Sequence, residues 1–456
     1  MTAWNAQGTQ PDRSTALHTD HYELTMVDAA LRNGTAGNRA VFEVFTRRLP
    51  GDRSYGVACG LGRLVADLAM FRFGPDELAW LTDREVVSRP TIDWLAGYRF
   101  SGDIDAYREG ELYVAGSPVL TVEGGFAEAL VLETLILSTL NHDSAVASVA
   151  ARIVAAAVGR PLIEMGSRRV HAEAAVASAR AAWIAGFTAT SNLEAGRRYG
   201  VPTAGTAAHA FTLAYPDERQ AFAAQVAALG SGTTLLVDTY DTERGIRNAV
   251  AVAGTSLGAI RIDSGDLGRE ASRARDLLDE LGATSTRIIV TGDLDERALI
   301  ALSDVPADGY GVGTSVVTGG GSPSAGFIYK LVAVADGAGL EARLRPVSKR
   351  SPGKATAGGR KWAWRLLSDG HAIGDEVATD PSPPPGPARA LQVPVVRGGE
   401  VVHRPALSEI RAYHHRAMAE WPDTGPWPDT EPVPGPSGPY PPQHTRPGNP
   451  AAPQPR

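Results

Sequence analysis

The sequence predicts an α/β fold: a TIM-like α/β barrel preceded by a split N-terminal α+β domain and followed by a disordered, proline-rich C-terminal tail. Three observations lead there. Between about residues 160 and 330, short apolar or β-branched runs recur, each ending in a polar cluster. A helical pattern lies between two of these runs: Ala271, Ala274, Leu278 and Leu281 share one face, and Gly282 ends it. Before residue 150 the patterns are mixed, some alternating and some helical.

Residues 1–150 form the expected N-terminal α+β domain, with "RAVFEVFTRRL" alternating as a strand and "FAEALVLETLILSTL" reading as a helix. Residues 151–335 form the expected barrel. Its runs are "RPLIEMGSRR", "AWIAGFTATSN", "VPTAGTAAHAF", "TTLLVDTYDT", "LGAIRIDSGDL", "STRIIVTGDLD" and "DGYGVGTSVV". Parallel strands buried on both faces read as continuous apolar runs, and in barrels the chemistry sits at their C-terminal ends. Residues 336–410 are expected to pack back on the first domain, with "IYKLVAVAD" and "KWAWRLL" as strands around a basic, glycine-containing loop. Composition changes near residue 380, at "DPSPPPGPARA", and residues 411–456 are expected to be an extended tail, because each proline removes a donor and fixes φ.

The 456 residues carry a formal net charge of −7 with a pI near 5.8, which argues against a nucleic-acid partner. Cys59 is the single cysteine, so no intramolecular disulfide can form. The N-terminus lacks a basic region followed by an apolar one, and no apolar run is long enough to span a bilayer. A soluble cytoplasmic protein with no membrane partner is expected.

Four stretches carry candidate chemistry. In "GVGTSVVTGGG" glycines let backbone N–H groups approach a phosphate while Thr314 and Ser315 add hydroxyls, although such a run is often merely a turn. "IRIDSGDL" sets Arg261 between isoleucines, with Asp263 and Asp266 close behind. The arginine suits an anionic or π-faced substrate, and the aspartates suit ribose hydroxyls or a phosphate-borne Mg2+; an internal ion pair at the rim is the alternative. "EMGSRR" places two guanidinium groups at another strand end, for a phosphate or simply for solvent. His209 in "VPTAGTAAHAF" is a structural histidine or, with Asp238 of "VDTYDT" orienting its ring, a nucleophile or base.

These residues resemble the nicotinate phosphoribosyltransferase family, the ATP-assisted enzymes of NAD salvage. "TDHYELTM", "PVLTVEG", "EALVLETLILSTLNHDS", "GSRR", "GFTATSN", "GTAAHAF", "IRIDSGDL" and "GVGTSVVT" occur in the family's order over nearly the whole chain to about residue 365. The resemblance implies an N-terminal domain on an irregular α/β barrel, and a head-to-tail homodimer with active sites at the subunit interface. Tyr22 would stack on the pyridine ring in the partner's barrel, while Arg261 and Thr206 contact nicotinate. Arg168, Asp263, Gly292, Asp293, Gly313 and Thr314 would surround the phosphoribosyl group and its phosphates. His209 would be phosphorylated by ATP and oriented by Asp238, coupling ATP hydrolysis to transfer from phosphoribosyl diphosphate, with Mg2+ at Asp263 and Asp266.

Two positions bear on the substrate. Relatives acting on nicotinamide carry an aspartate where this chain has Ser191, and a carboxylate there would repel nicotinate. Met165 stands where the family usually has phenylalanine on the ring's second face, and a thioether also packs on an aromatic ring. The competing readings are a nicotinamide or quinolinate phosphoribosyltransferase, and a non-catalytic barrel that binds a phosphorylated metabolite.

Overall fold

The computed structural model describes residues 14–339, 341–349 and 357–421. Two sheets dominate them. The first has seven strands centred on Arg39–Thr46, which pairs antiparallel with Leu120–Gly125 on one side and Phe327–Val334 on the other. Asp103–Tyr107, Gln392–Arg397 and Glu400–Val401 extend one edge, and Arg345–Pro346 lies at the other. Its buried partners include Phe42, whose ring stacks on Tyr329 with centroids 4.8 Å apart.

The second sheet has six parallel strands: Leu162–Glu164, Ala189–Thr190, Thr234–Leu236, Ala259–Ile262, Arg287–Val290 and Gly309–Val312. Neighbours in sequence are neighbours in space, and the last strand pairs with the first. An isolated bridge joins Thr190 to Thr203, but no ladder among the described residues joins this edge to Thr234–Leu236. The result is a mixed α/β fold with a strongly parallel second layer. Its apolar strand residues, among them Leu235, Ile260, Ile262, Ile288 and Val290, belong to one core.

The helix Glu133–Ala156 connects the two bodies. Its first half contributes Leu135, Ile136 and Leu140 to the core under the antiparallel sheet, and its second half contributes Val146, Val149 and Ile153 to the core of the parallel one. Several polar groups on this buried helix are matched, although His142 Nε2 has no hydrogen-bond partner among the described residues. Ser144 and Ser148 accept hydrogen bonds from the backbone N–H groups of Cys59 (3.0 Å) and Val57 (2.8 Å), and Asp143 takes Arg63 at 2.8 Å.

Several boundaries differ from expectation. Phe327–Val334 returns to the first domain's antiparallel sheet, as expected of "IYKLVAVAD", but it lies before the boundary at 335; this eight-residue strand finds there a long partner that the three- or four-residue parallel strands could not offer. "VPTAGTAAHAF" forms no named strand; it makes only the Thr203 bridge before a short helix begins at His209. Pro202 and Gly205 within it favour loop over ladder. The proline-rich character near residue 380 does not prevent folding there. Gln392–Arg397 joins the sheet with its register shifted after Pro394, where a missing donor is tolerated, and the proline-free Leu407–Glu420 is a helix that crosses the expected boundary at 411. The rest of the expected tail, 422–456, lies outside the described residues.

A buried ion network fastens this C-terminal part. Arg365, fully buried, donates to Glu111 Oε1 at 2.8 Å and to both oxygens of Asp375 at 2.9 and 3.0 Å. Arg389 reaches Glu111 Oε2 at 2.6 Å, and Tyr413 of the last helix donates to the same oxygen. Burial works against the Glu111 charge, yet Arg365 and Arg389 hold it below the usual carboxylate range. Arg365→Ala would leave buried Asp375 without its bonded cation and Glu111 with Arg389 alone. It should destabilise the protein by about 3–5 kcal/mol, read as a lower urea midpoint.

Candidate active site

The C-terminal ends of the parallel strands bring most of the singled-out residues together, and Arg261 is their hub. It is the third residue of Ala259–Ile262 and is largely buried. Its Nε donates to Thr291 Oγ1 at 2.8 Å, Nη1 to Thr206 Oγ1 and the Ala207 carbonyl at 3.3 Å each, and Nη2 to Asp263 Oδ1 at 2.7 Å. Thr291 in turn donates its one hydroxyl proton to Asp263. Burial opposes ionisation of Asp263, but the Thr291 and Arg261 hydrogen bonds and the Arg261 charge outweigh it and hold the carboxyl below its ordinary value.

Gly292 makes this close packing feasible. It has φ of +105°, and a Cβ built there would lie 2.4 Å from the Asp263 carbonyl oxygen. Gly311 is similarly confined, since a Cβ would meet Thr291 Cγ2 at 2.6 Å and Met165 Sδ at 2.7 Å. Met165 therefore lines the floor beside Thr291.

His209 opens the short helix His209–Leu213 with 39% of its side chain exposed, so a ligand can reach the ring. Its Nδ1 lies 3.1 Å from Thr239 Oγ1, and its Nε2 lies 3.9 Å from Asp263 Oδ2. Asp238, expected to orient the ring, has different partners. Its Oδ2 accepts from the Asp263 backbone N–H at 2.8 Å and the Ser264 hydroxyl at 2.7 Å, while Oδ1 is buried without a hydrogen-bond partner among the described residues. Two strand-end loops are thereby pinned together, and the neighbouring Thr239 is left to meet the imidazole.

Asp266, expected as a metal ligand, caps the helix Leu267–Glu280, its Oδ1 accepting from the Arg269 N–H at 3.2 Å. No group of three or more His, Cys, Asp or Glu able to hold a metal occurs among the described residues. Asp263 Oδ2 and Asp238 Oδ1 accept no hydrogen bond among the described residues. That fits a cation shared with substrate phosphates better than a cage made by protein alone.

Arg168 and Arg169 lie exposed in the turn after Leu162–Glu164, and neither has a salt bridge among the described residues. Buried Glu164 ties that turn down by accepting from the Gly166 N–H and from Thr190 Oγ1 at 2.6 Å. Ser191 is exposed at the next strand end, its N–H donating to the Glu164 carbonyl at 2.8 Å. Asp293 and Thr314 are exposed on adjacent loops, and Gly313 leads into the turn of helix Thr314–Val317. Tyr22 is elsewhere. It sits 45% exposed on the helix His21–Asn33, whose main contacts are with Phe126–Leu130 and Arg89–Ala96 rather than with this mouth.

Residues 17–141 match the model of the nicotinate phosphoribosyltransferase (NAPRTase) N-terminal domain. Nicotinate phosphoribosyltransferase pncB1 of Mycobacterium tuberculosis is 54% identical over 429 residues, covering 91% of this chain and 94% of that protein. The chain belongs to the nicotinate phosphoribosyltransferase family. The Bacillus subtilis nicotinate phosphoribosyltransferase is 39% identical, with 80% of this chain and 76% of that protein covered. Human nicotinic acid phosphoribosyltransferase superimposes with a TM-score of 0.75 at 27% identity, over 89% of this chain and 94% of that one. Among the described residues no helix is long and apolar enough to cross a membrane.

Sequence reasoning missed Thr291 and Thr239. Each stood at a strand end beside a residue already chosen, Thr291 before Gly292 and Thr239 after Asp238, and that adjacency was the available signal. Thr291→Val should loosen both Arg261 and Asp263, costing about 1.5–3 kcal/mol, the usual worth of a hydrogen bond to a charged group. We expect kcat/KM for the pyridine substrate to fall roughly ten- to hundredfold, with Thr291→Ser recovering most of it in the same steady-state assay.

Proposed function

We propose that this chain transfers phosphoribose from phosphoribosyl diphosphate to the ring nitrogen of nicotinate, yielding nicotinate mononucleotide and diphosphate, while ATP and water become ADP and phosphate. The observation that carries this reading is the Arg261 guanidinium, fixed beside Thr206 at the strand ends, with Ser191 rather than a carboxylate on the neighbouring loop. An anionic pyridine finds a cation there and, at position 191, no carboxylate to repel it. The 54% identity to a nicotinate phosphoribosyltransferase over most of the chain supports the same substrate.

In this reading Arg261 and Thr206 bind the nicotinate carboxylate and aim the ring nitrogen at C1 of the ribose. The nitrogen lone pair forms the new bond as the bond to diphosphate breaks, and the electron pair leaves with diphosphate. Asp263, kept ionised, holds ribose hydroxyls, while the glycine turn at 311–314 and exposed Arg168 receive phosphates. Asp263 and Asp238, with Asp266 at the adjoining helix start, would hold Mg2+, which when bound offsets charge on the departing diphosphate.

His209 would take the γ-phosphoryl group of ATP on Nε2, because Nδ1 is occupied by Thr239; ADP leaves with the bonding pair, and water later releases phosphate. Closure of the parallel strands into an irregular barrel belongs to the same reading, supported by their cyclic order with one unladdered gap. So does a head-to-tail homodimer. Leu193, Leu213 and Tyr240 expose apolar surface around the mouth, and Leu17, Tyr22 and Met26 expose it on the N-terminal body, as two surfaces meant to meet would.

The test is to incubate the protein with phosphoribosyl diphosphate, Mg2+ and nicotinate, nicotinamide or quinolinate, with and without ATP, and to identify the mononucleotide. Nicotinate should be preferred and stimulated by ATP; faster use of nicotinamide or quinolinate overturns the assignment. With γ-labelled ATP the protein should acquire an acid-labile, base-stable label, which His209→Ala abolishes together with the ATP stimulation. A label that survives in His209→Ala places the phosphate elsewhere.

Mixing inactive Tyr22→Ala with inactive Arg261→Ala subunits should restore part of the activity, since a mixed dimer contains one intact site. No recovery despite measured subunit exchange would mean each site is built within one chain.

A further inference from the structure

A second cationic cleft lies apart from the mouth of the parallel sheet, between the helix Leu61–Ala69, the far end of Leu193–Tyr199 and the segment 403–410. Ser191 precedes the helix Leu193–Tyr199 at the mouth, and Tyr199 ends it roughly 10 Å further along the helix axis. The cleft encloses about 480 Å3, within the range of small-molecule sites.

Its four arginines are matched unequally. Arg180 is held by Glu109 through two bonds of 2.5 and 2.8 Å, and Glu109 is further occupied by the Gly60 and Gly62 N–H groups. Arg198 is matched by Glu173 and Glu194. Arg63 binds Asp143 through Nη1, and its other donors have no hydrogen bond among the described residues. At the rim, exposed Arg404 has neither an ion pair nor a hydrogen bond among the described residues. Neighbouring His403 is held below its ordinary pKa by burial and then by the positive charge of Arg108, which favours the neutral ring, a hydrogen-bonding group rather than a cation. Leu61, Val65, Leu407 and Ile410 add an apolar part to the lining. A lining that joins unspent guanidinium donors to apolar side chains matches a ligand that is anionic at one end and flat and apolar at the other. A lone phosphate would leave most of the volume and those apolar side chains unused.

We propose that this cleft is a second binding site, separate from the catalytic mouth, for a nucleoside monophosphate, with the phosphate against Arg404, Arg63 and His403 and the base against Leu61, Val65, Leu407 and Ile410. None of these side chains belongs to the machinery around Arg261 and His209, so the site can be occupied while the mouth is filled.

The experiment is equilibrium dialysis of the full chain with labelled AMP, with phosphoribosyl diphosphate alone saturating the mouth. About one AMP per chain should remain bound. Arg404→Ala and Arg404→Glu should weaken binding progressively, the latter by at least about tenfold, as expected for losing and then reversing a charge-assisted contact. Turnover of both variants at saturating substrates, and their melting temperatures, should stay at the unaltered level. Adenosine and inorganic phosphate, tested separately, should each bind at least about tenfold more weakly than AMP, because each meets only one part of the lining. AMP binding unchanged in Arg404→Glu, or AMP fully displaced by phosphoribosyl diphosphate, would overturn the site. Phosphate binding as well as AMP would overturn the ligand class.

Discussion

The site is organised around the demand made by one guanidinium set in an apolar strand. Arg261 sits between isoleucines on a strand whose neighbours fill a dry core, and a buried cation persists only if its donors and its charge are met. Four oxygens meet them, from Thr206, Ala207, Asp263 and Thr291. These come from three different segments, so the single requirement draws the 201–208 loop, the end of its own strand and the next strand end into one lattice. Gly292 follows from the same demand, because any side chain there would collide with the Asp263 carbonyl.

That lattice also sets the histidine's surroundings. Asp263 points one oxygen at Arg261 and leaves the other 3.9 Å from His209 Nε2, while Asp238 is drawn away to the backbone and hydroxyl of the 263–264 turn. The imidazole is therefore steered by the hydroxyl of Thr239 on one side and left open on the other. A neutral hydroxyl orients the ring without drawing its proton as strongly as a directly bonded carboxylate would.

Support for this arrangement comes from a distance. The helix Glu133–Ala156 belongs to both cores, so the antiparallel and parallel bodies share one rigid element. Glu111 gathers Arg365, Arg389 and Tyr413 from three places late in the chain and binds the C-terminal strands and helix to the first domain. Arg411 of that helix donates to the Phe187 carbonyl at 2.7 Å, two residues before the strand Ala189–Thr190 begins.

The sequence by itself determined what depends on local pattern. Six of the seven apolar runs marked the parallel strands, the spacing from Ala271 to Leu281 marked a helix observed at Leu267–Glu280, and the ordered motifs marked the family. Polar clusters at run ends located the mouth because a dry parallel strand can carry polar groups only where it leaves the core. Only the tertiary structure decided which polar groups touch. Asp238 and Thr239 are adjacent in sequence, and either could have met His209; the choice fell to Thr239 because the 263–264 turn claimed the carboxylate. Phe327–Val334 and Gln392–Arg397 likewise found their sheet through partners hundreds of residues away. Pattern records a residue's preference for burial or exposure, whereas a hydrogen-bond partner is set by competition among groups that meet only after the chain has folded.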